Sequence, residues 1–229
     1  VFYDGDLAKA DVHFVVWEAN DKVFKEWLKN KLDTHKMAAM EIFNIKKIDD
    51  VKDHQRQLAK NGVHATNYGV YPKKLAMVLG ITIKEAEKFI KRWLEAHPEI
   101  KAWQDRIALQ LQTQGIITNI YGYSLRWLGR IDPHAINAAL AWGPQSSVAL
   151  YTRNLMLAID RKIGELQARE EIQLLLQTHD SLNWQVHSSV LAKWQQAIAN
   201  ISGTMYAPYP DDPLNIEFEI KRKEGSWGK

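Results

Sequence analysis

Apart from one hairpin near its middle, the strand-like runs of this chain lie toward its two ends, and most of what lies between them is patterned as helix. The opening run, VFYDGDLA at residues 1–8, is short, aromatic and β-branched at its start, and it ends in acidic residues. Two more runs occupy 174–187, LLLQTHDSLNWQVH, and a last one covers 214–221. The segments between carry helical signals. An apolar pattern follows the first strand, at Val12, Val15, Val16 and Ala19. Residues 21–30 and 33–43 read as two short helices, the second opened by Asp33 or Thr34. Residues 53–68 form a polar, basic helix closed by Gly69 and Pro72. An amphipathic helix spans 83–94, another runs from Pro98 to about 114 and stops at Gly115, and a long, mostly apolar one covers about 133–166. A hairpin is expected around Tyr121-Gly122 within 116–127, and a helix near 189–201. A strand, many helices and strands again predict an α+β fold: a small sheet built from both ends of the chain, with a helical insertion in the middle.

Composition narrows the chemistry. The 229 residues suffice for one large domain or two small ones. With 46% hydrophobic and 25% charged residues the chain reads as globular, and no stretch approaches the roughly 20 apolar residues of a membrane span. There is no cysteine, which excludes disulfides and thiolate metal sites. A metal here must take oxygen or imidazole ligands, which favours hard ions such as Mg²⁺. The formal charge of +3 is compatible with a nucleic-acid partner without pointing to one.

Two groups of residues carry potential chemistry. Asp6 ends one strand-like run and Asp180 interrupts another, flanked by apolar residues where an unpaired carboxylate is costly. Both are explained if they meet at one edge of the sheet and share divalent cations; a turn-capping role for each is the simpler alternative. Arg56, Lys60, His64 and Tyr68 recur every four residues. Each step advances a helix by about 40° beyond a full turn and about 6 Å, so the four line one slowly winding face. Two cations, an imidazole and a phenol suit a triphosphate with its base and sugar; a solvated basic face is the alternative. Gly62 inside this helix costs about 1 kcal/mol relative to Ala, and a close approach by substrate or another helix would account for it.

Taken together, these segments resemble family A DNA polymerases. Asp6-Leu7-Ala8-Lys9-Ala10-Asp11-Val12-His13 is similar to that family's DYSQIELR motif, and Asp33-Thr34-His35 to the Asp-x-His segment after it. Arg56-xxx-Lys60-xxx-His64-xxx-Tyr68-Gly69 resembles the fingers motif R-xxx-K-xxx-[FY]-xxx-YG. Gly80-Ile81-Thr82 with Glu85-Ala86 resembles the LGI…EA stretch, and Gln177-Thr178-His179-Asp180-Ser181-Leu182 the QVHDE or QIHDS motif. Gly225-Ser226-Trp227-Gly228 looks like the family's closing G-x-W-G.

The resemblance implies a polymerase palm over 1–20 and 116–229, with the fingers inserted as 21–115. It implies template-directed addition of dNTPs to a primer 3′-hydroxyl. Asp6 and Asp180, with the Leu7 carbonyl, would hold two Mg²⁺, for which Mn²⁺ can substitute. Arg56 and Lys60 would contact the triphosphate, Lys60 also as proton donor to the pyrophosphate. His64 would lie against the sugar and base, Tyr68 and Gly69 would flank the templating position, and Asp11 would screen the sugar. Gln145 and His179 would sit near the primer end and minor groove of the DNA.

Three residues depart from the family pattern. His64 stands in place of Phe or Tyr, Asp11 is one methylene shorter than the usual Glu, and Ser181 stands where many members carry a second acid. These features suggest a divergent, phage-like member acting in a bacterial or phage-infected cytoplasm. The chain begins at the first motif, so it is expected to be the C-terminal piece of a longer or split enzyme. An N-terminal portion with thumb, remaining palm and any exonuclease would then be its partner. A non-catalytic nucleic-acid-binding module with the same fold is the second reading, against which the retained Asp6, Arg56, Lys60 and Asp180 weigh.

Overall fold

A computed structural model describes residues 1–223. The closing Gly225-Ser226-Trp227-Gly228 lies outside the described residues. The chain forms two compact units: a sheet unit of residues 1–11, 120–122 and 145 onward, and a helical unit of 12–119 and 123–144.

The sheet unit is built around β1 (Phe2–Leu7). This strand pairs antiparallel on one side with β5 (Ser181–Val186) and on the other with β6 (Phe218–Lys223). β4 (Ile172–Thr178) adds to β5, giving the order β4-β5-β1-β6. Alternation divides the sheet into two faces. Tyr3, Leu182, Trp184 and Val186 point into a core closed by Leu155, Ile159 and Ile163 of α8 (Pro133–Glu165) and by Trp194 and Ile198 of α9 (Leu191–Gly203). Burying each large apolar side chain contributes about 1.5–3 kcal/mol. The rings of Tyr3 and Trp184 stack at 5.8 Å, and Trp184 and Phe218 at 6.1 Å. They close over Gly5, where a Cβ would stand 2.1 Å from Phe218 Cζ, so the middle of β1 admits no side chain on that face.

The expected last strand at 214–221 is displaced to 218–223. Residues 214–216 spend their backbone groups elsewhere. Leu214 bridges Ala207, and the Ile216 N–H donates to the Tyr151 hydroxyl at 3.3 Å. The Asn215 amide ties down the carbonyls of Ser202 and Met205.

The helical unit contains most of α1 (Ala10–Ala19), then α2 (Lys22–Lys29), α3 (Thr34–Phe43), α4 (Asp53–Asn67), α5 (Pro72–Leu79), α6 (Ile83–Ala96) and α7 (Pro98–Gln114). The hairpin β2 (Ile116–Thr118) and β3 (Ser124–Arg126) and the start of α8 complete it. Its boundaries follow from capping chemistry. Asp21 accepts from the Phe24 N–H and Asp33 from those of His35 and Lys36, while Thr82 and Glu85 form a capping box. Gly115 ends α7 in the left-handed conformation. Helix α5 was not expected, because Gly69 and Pro72 read only as punctuation. Pro72 instead starts a helix at its first position, where proline lacks nothing the helix needs, and Gly80 stops it.

A buried ionic cluster joins these helices. His97, wholly buried at the start of α7, places Nδ1 2.7 Å from Asp21 and Nε2 2.9 Å from Glu41. The rings of Phe24, Trp27 and Trp93 surround it. Burial alone would push its pKa down, but hydrogen bonds and charges from the two carboxylates outweigh it and hold the imidazole up at about 9. Both ring nitrogens face acceptors, so His97 is an imidazolium at neutral pH. At Glu18 on α1 the balance is reversed: burial pushes its carboxyl up to about 7, outweighing the Trp103 indole, which donates to it at 3.2 Å, and the Arg106 charge.

His97 therefore stabilises the fold fully below its unfolded pKa near 6.5, and the contribution is lost as pH rises through about 9. His97→Gln is expected to cost about 3–5 kcal/mol at pH 6, by stranding two carboxylates, and less at pH 9.5. Urea midpoints of both proteins at the two pH values measure the difference; a pH-independent gap would contradict the charged state.

Candidate active site

In the sheet unit the two acidic residues named from sequence meet at one end of the sheet. Asp6 is the penultimate residue of β1 and sits in register with Ser181. Asp180 lies in the tight β4-β5 turn, one residue away along β5, and its carbonyl accepts from the Leu7 N–H at 3.1 Å. The turn closes because His179 adopts φ 55° and the Ser181 hydroxyl donates to the Thr178 carbonyl. That tip leaves His179 exposed and Asp180 half-buried.

The open face of the sheet around Asp6 is charged. Asp4 accepts from the Asn183 amide at 2.8 Å and pairs with Lys223 at 3.3 Å; Glu219, in register with Asp6, pairs with Lys221 at 3.1 Å. The Asp6 carboxyl is pushed above its usual range, first by burial and then by the negative charge of Asp180 and of Asp4, with Lys221 opposing. Two neighbouring carboxylates at a strand end and a turn are hard oxygen donors that a divalent cation would relieve. Among the described residues no group of three His, Asp or Glu converges on one point, so such an ion would draw further ligands from substrate or backbone. Sequence reading missed Asp4, Glu219 and Lys221; the period-two spacing of Asp4 and Asp6 is the signal that could have placed Asp4 on this face.

In the helical unit, α4 carries Arg56, Lys60 and His64 of the four-residue repeat, and Tyr68 is its C-cap. Lys60 and His64 are exposed, and Arg56 and Tyr68 are half-buried. The opposite face buries Ala59, Gly62, Val63, Thr66 and Asn67. Arg56 Nε donates to Asp33 Oδ2 at 2.8 Å, and its terminal nitrogens have no other partner among the described residues. Burial raises the Asp33 carboxyl, but the hydrogen bonds from Arg56 and from the α3 N-terminus outweigh this and hold it below the usual range. Asp33 thus both caps α3 and aims Arg56, a link that no spacing rule reveals.

The His64 and Tyr68 rings meet edge to face at 4.9 Å. The end of α4 is fixed by the Gln104 amide, which donates to the carbonyls of Thr66 and Asn67 at 2.7 and 3.0 Å. Gly69 follows at φ 74°, with Asn137 Oδ1 only 2.7 Å from where a Cβ would stand. Gly62 is explained by helix packing: a Cβ there would stand 2.3 Å from Phe89 Cζ of α6. Asp11 lies half-buried in the first turn of α1, and Gln145 is exposed on α8 directly after Pro144.

Residues 6–228 match the family model described as DNA polymerase family A. The chain belongs to this family. It is 30% identical to DNA polymerase I of Treponema pallidum (strain Nichols) over 97% of its own length and 22% of that protein's. To DNA polymerase I of Bacillus subtilis (strain 168) it is 25% identical, over 95% of this chain and 25% of that protein. The chain thus spans about a quarter or less of these relatives. Among solved structures, the POL domain of Pol1 from M. smegmatis, in complex with DNA primer-template and dNTP, superposes with a TM-score of 0.84 at 23% identity. The match covers 96% of this chain and 39% of that one, and establishes the family A fold for the small antiparallel sheet with its helical insertion. Among the described residues no helix is long and apolar enough to cross a membrane.

The Phe89 ring against Gly62 sets the seat of α4. Gly62→Val should destabilise by about 1–3 kcal/mol through overpacking, and Phe89→Leu in the same chain should recover part of the loss. Chemical denaturation of the two single variants and the double variant tests the coupling; additive losses would show that the contact does not set the seat.

Proposed function

We propose that this chain carries out template-directed DNA synthesis, adding a dNTP to a primer 3′-hydroxyl. The observation that carries the reading is the meeting of Asp6 and Asp180 at one end of the sheet, with the Leu7 N–H bonded to the Asp180 carbonyl. Family membership and the carboxylates' mutual repulsion support it. In this reading Asp6 and Asp180, with the Leu7 carbonyl, hold two Mg²⁺ (or Mn²⁺). Bound there, the ions lower the pKa of the attacking hydroxyl and offset charge on the leaving oxygens.

The protein's remaining work is positioning. The 3′-hydroxyl gives up its proton to solvent as its oxygen bonds to the α-phosphorus, the bridge to the β-phosphate breaks, and pyrophosphate leaves. Arg56, steadied by Asp33, presents its terminal nitrogens to the triphosphate. Lys60 binds the same phosphates and protonates the departing pyrophosphate. His64 lies against the sugar and base, Asp11 limits the space at the sugar 2′ position, and Tyr68 and Gly69 border the templating base. Gln145 and His179 contact the primer-template. In family terms, residues 1–20 and 116–229 form palm and 21–115 form fingers. The proposed partners are primer-template DNA, a dNTP and an N-terminal polymerase portion supplying a thumb, and the three departures from the family pattern suit a phage-like enzyme.

Primer extension by the chain with Mg²⁺ and dNTPs, alone and with a separately supplied N-terminal portion, tests this reading. Asp180→Asn and Asp6→Asn should each lower incorporation by about 10²-fold or more while leaving DNA affinity within a few-fold. No extension in either arrangement would favour a non-catalytic nucleic-acid-binding module, and full activity in Asp180→Asn would sink the metal assignment. Lys60→Ala is expected to slow single-turnover incorporation by about 10²-fold, with a smaller effect on binding of the correct dNTP. A change confined to dNTP affinity would leave Lys60 a phosphate contact alone.

A further inference from the structure

The helical unit holds a half-open cavity of about 240 Å³ that none of the roles above uses. Its floor is aromatic. Phe43 ends α3, Phe89 lies on α6, and their rings stand edge to face at 6.4 Å and 78°, making a corner. Leu58 of α4, Leu79 of α5 and Ile81 close the sides, each only half-buried, so the cavity costs the fold apolar surface left open to water. A flat ring entering this corner could stack offset on one phenyl and edge-on to the other.

The rim gives the occupant a charge. Lys88 and Arg92 lie four residues apart on α6 and therefore on one side of the mouth. Arg92 Nη1 donates to the Ile42 carbonyl at 2.7 Å, which fixes the guanidinium plane and leaves its other donors without a partner among the described residues. The acidic member, Glu85, is turned to the helix N-terminus, where one oxygen accepts from both the N–H and the hydroxyl of Thr82, at 2.8 and 2.7 Å; these bonds, with the charge of Lys88, hold it as a carboxylate. Apolar walls of this size, rimmed by the held guanidinium of Arg92 and the exposed Lys88 against the single acid Glu85, match a compact aromatic body ending in an anion.

We propose that this cavity is a binding site for a small planar aryl carboxylate or sulfonate. The site bears directly on α4. Leu58 is a wall of it, and the Phe89 ring that forms its floor also rests on the backbone of that helix at Gly62. An occupant therefore presses on the element that carries Arg56, Lys60 and His64.

The test needs neither DNA nor nucleotide, so its result is independent of the polymerase reading. Anilinonaphthalene sulfonate is titrated into the folded chain by fluorescence, with the uncharged phenylnaphthylamine as comparison. Saturable binding at one site is expected, with the anion tighter than the neutral compound. Lys88→Glu, at an exposed position, should weaken the anion about tenfold or more and leave the neutral compound unchanged. Ile81→Trp, which fills the cavity, should abolish both. Equal affinities for the two probes, or an anion affinity untouched by Lys88→Glu, would overturn the proposal. So would non-saturating fluorescence that persists in Ile81→Trp. If Ile81→Trp proves unstable, Lys88→Glu alone still decides between these outcomes.

Discussion

β1 hydrogen-bonds along both edges to strands made near the other end of the chain. Its register with β5 sets Asp6 opposite Ser181, and its register with β6 sets Asp6 opposite Glu219. A slip of one residue in either ladder would exchange the aromatic face for the acidic one, putting Asp4 and Asp6 against Trp184 and exposing Tyr3. The Tyr3-Trp184-Phe218 stack over Gly5 prevents the slip, because no neighbour of Gly5 in β1 leaves room for those rings. The carboxylate pair is thus a product of core packing on the opposite face. Such a sheet cannot close until the C-terminal strands exist, which makes its folding slow relative to that of the local helices.

The helical unit solves a different problem. Helix α4 turns Lys60 and His64 outward while its inner face is held by packing and by hydrogen bonds at its C-terminal end. Gly62 admits the Phe89 ring, Gln104 holds the carbonyls of Thr66 and Asn67, and the Trp93 indole donates to Asn67 at 2.9 Å. At the other end Asp33 fixes Arg56. The buried half of the helix is therefore sterically constrained at nearly every turn.

What the sequence made legible was local. Helix ends marked by Asp33 and Gly115 fall where capping chemistry puts them, and Arg56, Lys60 and His64 lie along one helix with Tyr68 as its C-cap. Asp6 and Asp180 could be suspected from carboxylates set in strand-like runs. The parts that could not be read depend on distant partners. Helix α5 hides behind a proline that marks a start as easily as a stop. The last strand begins late because Tyr151 and the carbonyls of Ser202 and Met205 claim the preceding residues. The Asp33–Arg56 bond and the roles of Asp4 and Glu219 arise from tertiary register, which no window of sequence contains. Gly62 was legible as an anomaly, and only the packing distinguished a neighbouring helix from a bound substrate as its cause.

The imidazolium at His97 also changes the chain's proton inventory. The formal charge of +3 counts every histidine as neutral, so the folded protein at pH 7 carries at least one positive charge more at this position. Glu18, held near pH 7, shifts the balance the same way by keeping part of a proton that an unfolded glutamate would release. Folding near neutrality therefore draws protons from solution. The heat measured for unfolding will include the ionisation heat of whichever buffer receives them, and values taken in phosphate and in Tris will differ for the same transition. The extra charge also lies inside a low-dielectric core, so added salt screens it far less than it screens the lysines on the surface.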